Sequence, residues 1–149
     1  MIDMITRIDA PVTKERLKKY KRLKEEIGRQ YERYIRLKAA SRSPALPVLD
    51  GMPHSGFVED RMAIAVARQI ELENIILENL RKEAAEVAAI EEAIQLLEDP
   101  GEREVLRLRY IEGLGWLDIC AALTYEWAQT HRLHGSALSN IVAVSCCVK

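Results

Sequence analysis

Between Lys14 and Lys38 the positions Leu17, Tyr20, Lys24, Ile27, Tyr31, Tyr34 and Lys38 follow one another at alternating spacings of three and four, and most of them are apolar or aromatic. That period predicts one long helix. Leu23, Ile35 and Leu37 widen its apolar stripe, so it needs a partner to be stable. Thr13 stands where a side-chain N-cap belongs, although Arg16 is not the carboxylate of a full capping box. A second long helix is predicted from about Asp60 to Leu97. Its near-heptad seam is Val66, Ile70, Leu77, Leu80, Ala84, Val87 and Ile94, interrupted by Glu73 and Glu91. Ile64, Ile75, Ile76, Ala88, Ile90 and Leu97 spread the apolar surface beyond that seam, which implies more than one partner helix. Between the two, Pro44, Pro47, Gly51, Pro53 and Gly56 break the helical pattern over residues 40–59. That stretch is read as a long loop with a turn at Asp50-Gly51 and a lone loop histidine, His54.

From Pro100 the pattern changes to short segments. Asp99-Pro100 supplies a cap followed by a proline in the first helical turn, and Val105, Leu106, Leu108, Tyr110 and Ile111 give an apolar stripe that should end at Gly113. Gly113-Leu114-Gly115 allows a sharp reversal. A helix of about two turns follows, with Ile119, Cys120, Ala122 and Leu123 as its apolar members. Thr124-Tyr125-Glu126 forms a turn, and a longer helix starts at Trp127 with Thr130, Leu133 or His134, Ala137, Leu138, Ile141 and Val142 facing inward. This is the pattern of a helix-turn-helix. Leu106, Ile119, Leu123 and Leu138 are expected to converge between the three helices. Trp116 should pack against the first of them, and Trp127 should be the more exposed indole. The apolar tail beyond Leu138 is read as a segment that folds back.

The fold class expected is therefore all-α: a long helical hairpin or coiled coil over residues 1–99, then a three-helix helix-turn-helix domain with a tail over 100–149. An apolar fraction of 48% with 5% aromatics suits a globular helical protein. Charge is unevenly distributed. Residues 14–38 hold eleven Lys/Arg against four Glu, and residues 59–99 hold eleven Asp/Glu against four Lys/Arg. Antiparallel pairing would set opposite charges along one seam. Each exposed pair would contribute only a few tenths of a kcal/mol, so apolar burial must supply most of the stability. The apolar surface exceeds what one antiparallel contact covers, which predicts a homodimer through these helices. The net charge of −1 makes any nucleic-acid surface a local one.

The run EREVLRLRYIEGLGWLDICAAL and the stretch to Leu138 resemble the DNA-binding region four of bacterial sigma factors, matching without gaps from Asp118 to Leu138. LDGMPHSG at Leu49 to Gly56, DPGEREVLRLRYIEGLGW and RLHGSAL at Arg132 to Leu138 together resemble phage late transcriptional regulators of the ArpU/RinA type. The resemblance covers about two thirds of the chain. It departs at Gly115, where a serine cap is usual, at Thr130, where valine is usual, and at Glu126, where serine is common and where a carboxylate would repel phosphate. It implies a phage or prophage transcription regulator working on double-stranded DNA, and in contact with RNA polymerase, in the cytoplasm of a bacterial host.

On the helix from Trp127 the outward residues are Trp127, Ala128, Gln129, His131, Arg132 and Ser136. Short polar side chains with one arginine suit a major groove. Lys18, Lys19, Lys21 and Arg22 on the first helix are candidate phosphate contacts, against the plainer reading that they form a solvated or internally paired face. Two other functions fit the same pattern: a DNA-packaging protein like a terminase small subunit, and an RNA-polymerase-binding adaptor that does not read DNA. No glycine-rich phosphate loop, carboxylate pair in a pocket, or nucleophile with a placed base is present, so no enzyme is expected. No cofactor is expected either. Three cysteines form no disulfide framework and suit a reducing cytoplasm; Cys146-Cys147 would need metal ligands from elsewhere, and the obvious candidates, His131 and His134, lie on the recognition helix, so no metal site is predicted. The longest apolar run is too short to span a bilayer, and Asp3 and Asp9 stand where a secretory signal would carry lysines.

Overall fold

Thr13 does cap the first helix: its Oγ1 accepts a hydrogen bond from the Arg16 backbone N–H at 3.3 Å. The computed structural model describes residues 10–42 and 57–147. The 40–59 connection lies mostly outside the described residues, with its Asp50-Gly51 turn and His54. Helix α1 spans Lys14–Arg42 and α2 spans Phe57–Gln95, each slightly longer than its apolar pattern. Three shorter helices follow: α3 at Pro100–Leu106, α4 at Trp116–Leu123 and α5 at Trp127–Cys146. No strand occurs among the described residues, so the fold is all-α.

The chain packs as two units, one from the described residues through Lys24 together with those from Lys82 onward, the other from Glu25–Arg81. These units cut across the division at residue 99 read from the sequence. In the first, Val12, Leu17 and Tyr20 share one buried cluster with Ile90, Ala93, Ile94 and Leu97 of α2 and with Leu106, Tyr110, Ala137 and Ile141. Helices α3 and α5 therefore share a core with the ends of α1 and α2. Here Arg16 forks onto Glu86 at 3.0 and 3.1 Å, and Tyr20 donates to Glu83 at 3.4 Å. In the second unit Asn79 donates to Gln30 at 2.9 Å and Tyr34 donates to Glu73 at 2.6 Å. In both, α1 and α2 run antiparallel. Among the described residues Arg16–Glu86 is the one ion pair joining α1 to α2; tyrosine hydroxyls and amides make the other polar links. Tyr20 is buried next to carboxylates, and burial first, then Glu83, pushes its phenol up to about 12.

Asp99 caps α3, accepting from the Gly101 N–H at 2.9 Å, with Pro100 in the first turn. The helix predicted to run unbroken toward Gly113 instead widens into a π turn at Arg107–Ile111, where the Glu112 N–H reaches back five residues to the Arg107 carbonyl. Leu108 and Tyr110 are buried from this turn. Gly113 then takes φ +74°, a left-handed conformation that glycine adopts without steric cost, and Leu114 N–H closes the reversal on Leu108 O. Thr124 ends α4 in the left-handed region at φ 57°.

Two expectations for the core need correction. Of the four residues expected to converge, Leu106 and Ile119 are fully buried, whereas Leu138 is half-buried against the core and Leu123 is half-buried toward the end of α4. The tail does not fold back. It continues α5, because Ile141 and Ser145 stay in register with Ala137 on the buried face. Ser145 Oγ accepts from the Val12 N–H at 2.9 Å and donates to Ile141 O at 2.6 Å, tying the helix end to the segment that leads into α1.

Candidate nucleic-acid interface

Thr130, His134, Ala137, Ile141 and Ser145 are the buried residues of α5. Their three- and four-residue steps fix which side of the helix faces out. Thr130, the departure from valine, is fully buried with its hydroxyl accepting from the Cys120 thiol at 3.3 Å, so the extra oxygen is satisfied where α4 and α5 meet. Trp127, Ala128, Gln129 and Arg132 are exposed at the start of α5, and neither Gln129 nor Arg132 makes a side-chain hydrogen bond or ion pair among the described residues.

The other two candidates on α5 are engaged inside the protein. His131 is half-buried between two indoles, its ring 4.2 Å from Trp116 and 4.5 Å from Trp127. Its Nε2 is buried without a hydrogen-bond partner among the described residues. Ser136 is exposed, but its Oγ donates to Glu102 Oε1 at 2.6 Å, and Asn140 Nδ2 donates to both oxygens of the same carboxylate at 3.0 Å. Glu102 is thus a buried acid whose lone pairs are occupied by one face of α5. Ser136 and Asn140 are four apart and share a helical face, but the partner 34 residues earlier is not visible from spacing alone.

Trp116 packs against the helix before the glycine reversal, and Trp127 is the more exposed indole, both as the sequence predicts; the partner Arg109 is what the sequence does not name. Arg109 lies 4.5 Å over the Trp116 ring and donates to Leu114 O at 3.1 Å, so it holds the glycine reversal and the first residue of α4 together. The indole of Trp116 also meets His134 edge-on at 4.8 Å. Tyr110 and His134 share a hydrogen bond of 3.0 Å beneath this layer. Burial, then the positive charges of Lys14 and Arg109, pushes His134 down to about 4, and burial raises the Tyr110 phenol. Both are neutral near pH 7. Together these side chains make a polar, aromatic layer that carries one fixed charge, that of Arg109.

Charge near the outward face is sparse. Residues 100–146 hold four arginines and five acids, and Glu126 occupies the N-cap of α5 without a side-chain capping bond. Of the four cations proposed for phosphate, Lys18, Lys19 and Arg22 are exposed and Lys21 is half-buried. Lys18 and Arg22 are four apart and share one side of α1. Lys24 is engaged, its Nζ donating to the Ile111 carbonyl at the end of the π turn. No group of three or more potential metal-binding side chains occurs among the described residues, and none of their helices is long and apolar enough to cross a membrane.

No protein-family model, curated protein or solved structure matches this chain.

Proposed function

We propose that this chain is a non-enzymatic, sequence-specific DNA-binding transcription regulator of a phage or prophage, which reads the major groove with the first two turns of α5. One observation carries the reading. Helix α5 follows α4 across a turn with Thr124 in the left-handed region, and its His131 and His134 pack on Trp116, over which Arg109 lies. It presents Gln129 and Arg132 outward with no intramolecular partner among the described residues. Gln pairs with adenine and Arg with guanine through two hydrogen bonds each, and a rigid helix is what such geometry requires. The resemblance of residues 102–138 to sigma region four supports the same assignment. It extends the partners to RNA polymerase and the location to the bacterial cytoplasm. A second copy of the chain completes the working unit.

The contacts divide by role. Gln129 and Arg132 specify, with Ala128 and Trp127 able to meet a thymine methyl or a sugar. His131 and Ser136 hold α5 in place. Lys18, Lys19, Lys21 and Arg22 can add only phosphate contacts, which raise affinity without regard to sequence. With four arginines against five acids around the reading helix, specific binding should depend heavily on one residue, Arg132.

Selection of bound duplexes from a random DNA pool tests the reading. A recurring motif a few base pairs long is the expected result. Recovery of unselected sequence, or no retention of DNA at low salt, would overturn it. The RNA-polymerase adaptor predicts no retained DNA together with capture of polymerase. The packaging reading predicts ring-sized assemblies without a recurring motif.

A further inference from the structure

The described residues of the 25–81 unit bury little apolar surface. Among its described residues Ile27, Leu72 and Ile76 are the buried hydrophobics, while Tyr31, Ile35, Leu37, Met62, Ile64, Val66, Ile70, Ile75, Leu77 and Leu80 are between 37% and 64% exposed. Three buried side chains among the described residues make a thin contact between two helices, and large apolar patches are rarely left open on monomers.

The exposed residues of α2 are not scattered. At 100° per residue, Met62, Val66, Ile70, Leu77 and Leu80 fall within an arc of about 80° that is turned roughly 100° from the line of Leu72 and Ile76 facing α1. They form a second stripe, beside the face that meets α1. Val66, Ile70, position 73, Leu77 and Leu80 step by four, three, four and three, which is a heptad seam about 20 Å long at the helical rise. Glu73 is its polar position. The Tyr34 hydroxyl donates to Glu73 Oε1 at 2.6 Å and holds that carboxylate toward α1, so the charge is satisfied within the unit.

We propose that this outer stripe of α2 docks against the same stripe of a second copy of the chain. A heptad seam is best filled by knobs from another helix of the same spacing, and this chain supplies one. The surface covered would be on the order of 1,000 Å² over two protomers, at the lower bound of a specific interface. Charge favours the same occupant. Between Met62 and Lys82 the one charge bordering the stripe is Arg81, beside the uncharged Gln69 and Asn74, while Arg68, Glu71, Glu78 and Lys82 lie on the far side of α2, so apart from Glu73 the face is nearly uncharged and selects neither a polyanion nor a polycation. A two-fold pairing uses one patch twice and closes, leaving no apolar seam to recruit further copies. Dimerisation through this face does not depend on DNA reading by α5, so a chain unable to bind DNA should still pair.

The test is light scattering and sedimentation of the full chain between about 1 and 100 μM, comparing the parent with Ile70→Lys/Leu77→Lys and with Ile64→Lys, which charges a different side of α2. The parent should be a dimer. The double variant should be monomeric, with pairing weakened at least about 100-fold, and Ile64→Lys should stay dimeric. Helicity by circular dichroism confirms that each variant is folded. Should the double variant lose helicity, Leu77→Asn alone replaces it, and the parent's melting temperature should rise with concentration as linkage requires. A monomeric parent at 100 μM would overturn the proposal, whatever other protein it binds. A double variant that is folded and pairs like the parent would overturn it as well.

Discussion

His134 Nε2 lies 3.0 Å from Tyr110 Oη, a buried hydrogen bond between α5 and the π turn that exists with the imidazole neutral. Burial holds the folded-state pKa of His134 at about 4 against an ordinary 6.5. The unfolded chain therefore binds a proton as pH falls through about 6.5 while the folded chain resists until about 4. His134 stabilises fully above that window and loses its contribution as pH falls through it. Denaturant unfolding of the parent should show stability falling between pH 6.5 and 4, at up to about 1.4 kcal/mol per pH unit from this residue. His134→Phe should be less stable at pH 7, having left Tyr110 Oη unpaired, and should show a shallower fall. Equal slopes would remove the linkage.

Ile119 is fully buried and Leu123 is half-buried, although both were expected at the centre of the three short helices. Ile119→Ala should cost about 2 to 5 kcal/mol and Leu123→Ala clearly less, since truncation at a half-open site leaves a smaller cavity. Denaturant midpoints of the two variants decide the order. A larger loss at Leu123 would contradict the packing described.

Ser145 accepts from the Val12 N–H, which has no helix to satisfy it because it precedes α1. Ser145→Ala should cost about 1 to 3 kcal/mol for the orphaned buried donor. Amide exchange at Val12 should quicken more than at Leu17. Unchanged exchange at Val12 would mean that the hydrogen bond does not form.

Helices α1, α2 and α5 were legible in the sequence because apolar residues at steps of three and four persist over many turns, and Thr13, Asp99 and Trp127 mark starts that the backbone keeps. The π turn at Arg107–Ile111 was not, since nothing in LRLRYI distinguishes a widened turn from an α-helix until Leu108 and Tyr110 are placed in a core. Glu73 read as a break in the α2 seam; only the Tyr34 hydroxyl, 39 positions away, shows how the carboxylate is held. At the candidate site the outward residues Trp127, Ala128, Gln129 and Arg132 followed from helical period. The engagement of His131 by Trp116 and of Ser136 by Glu102 did not, because both partners come from other helices.

If His131 and Ser136 support α5 without touching bases, their loss should act on stability as much as on binding. Ser136→Ala leaves Glu102 with Asn140 as its remaining partner and should lower the melting temperature by a few degrees, with little change in which duplex is preferred. A changed base preference with unchanged melting would return Ser136 to the reading surface.

The most direct measurement of the proposed function is the affinity of the parent and of Arg132→Ala for a selected duplex and for a scrambled one, at two salt concentrations. Arg132→Ala should lose about 1 to 3 kcal/mol on the selected duplex and much less on the scrambled one, because a bidentate base contact carries discrimination. Replacing Lys18 and Arg22 should weaken both duplexes alike and reduce the salt dependence. Equal losses on both duplexes for Arg132→Ala, or no DNA binding by the parent, would contradict base reading by α5.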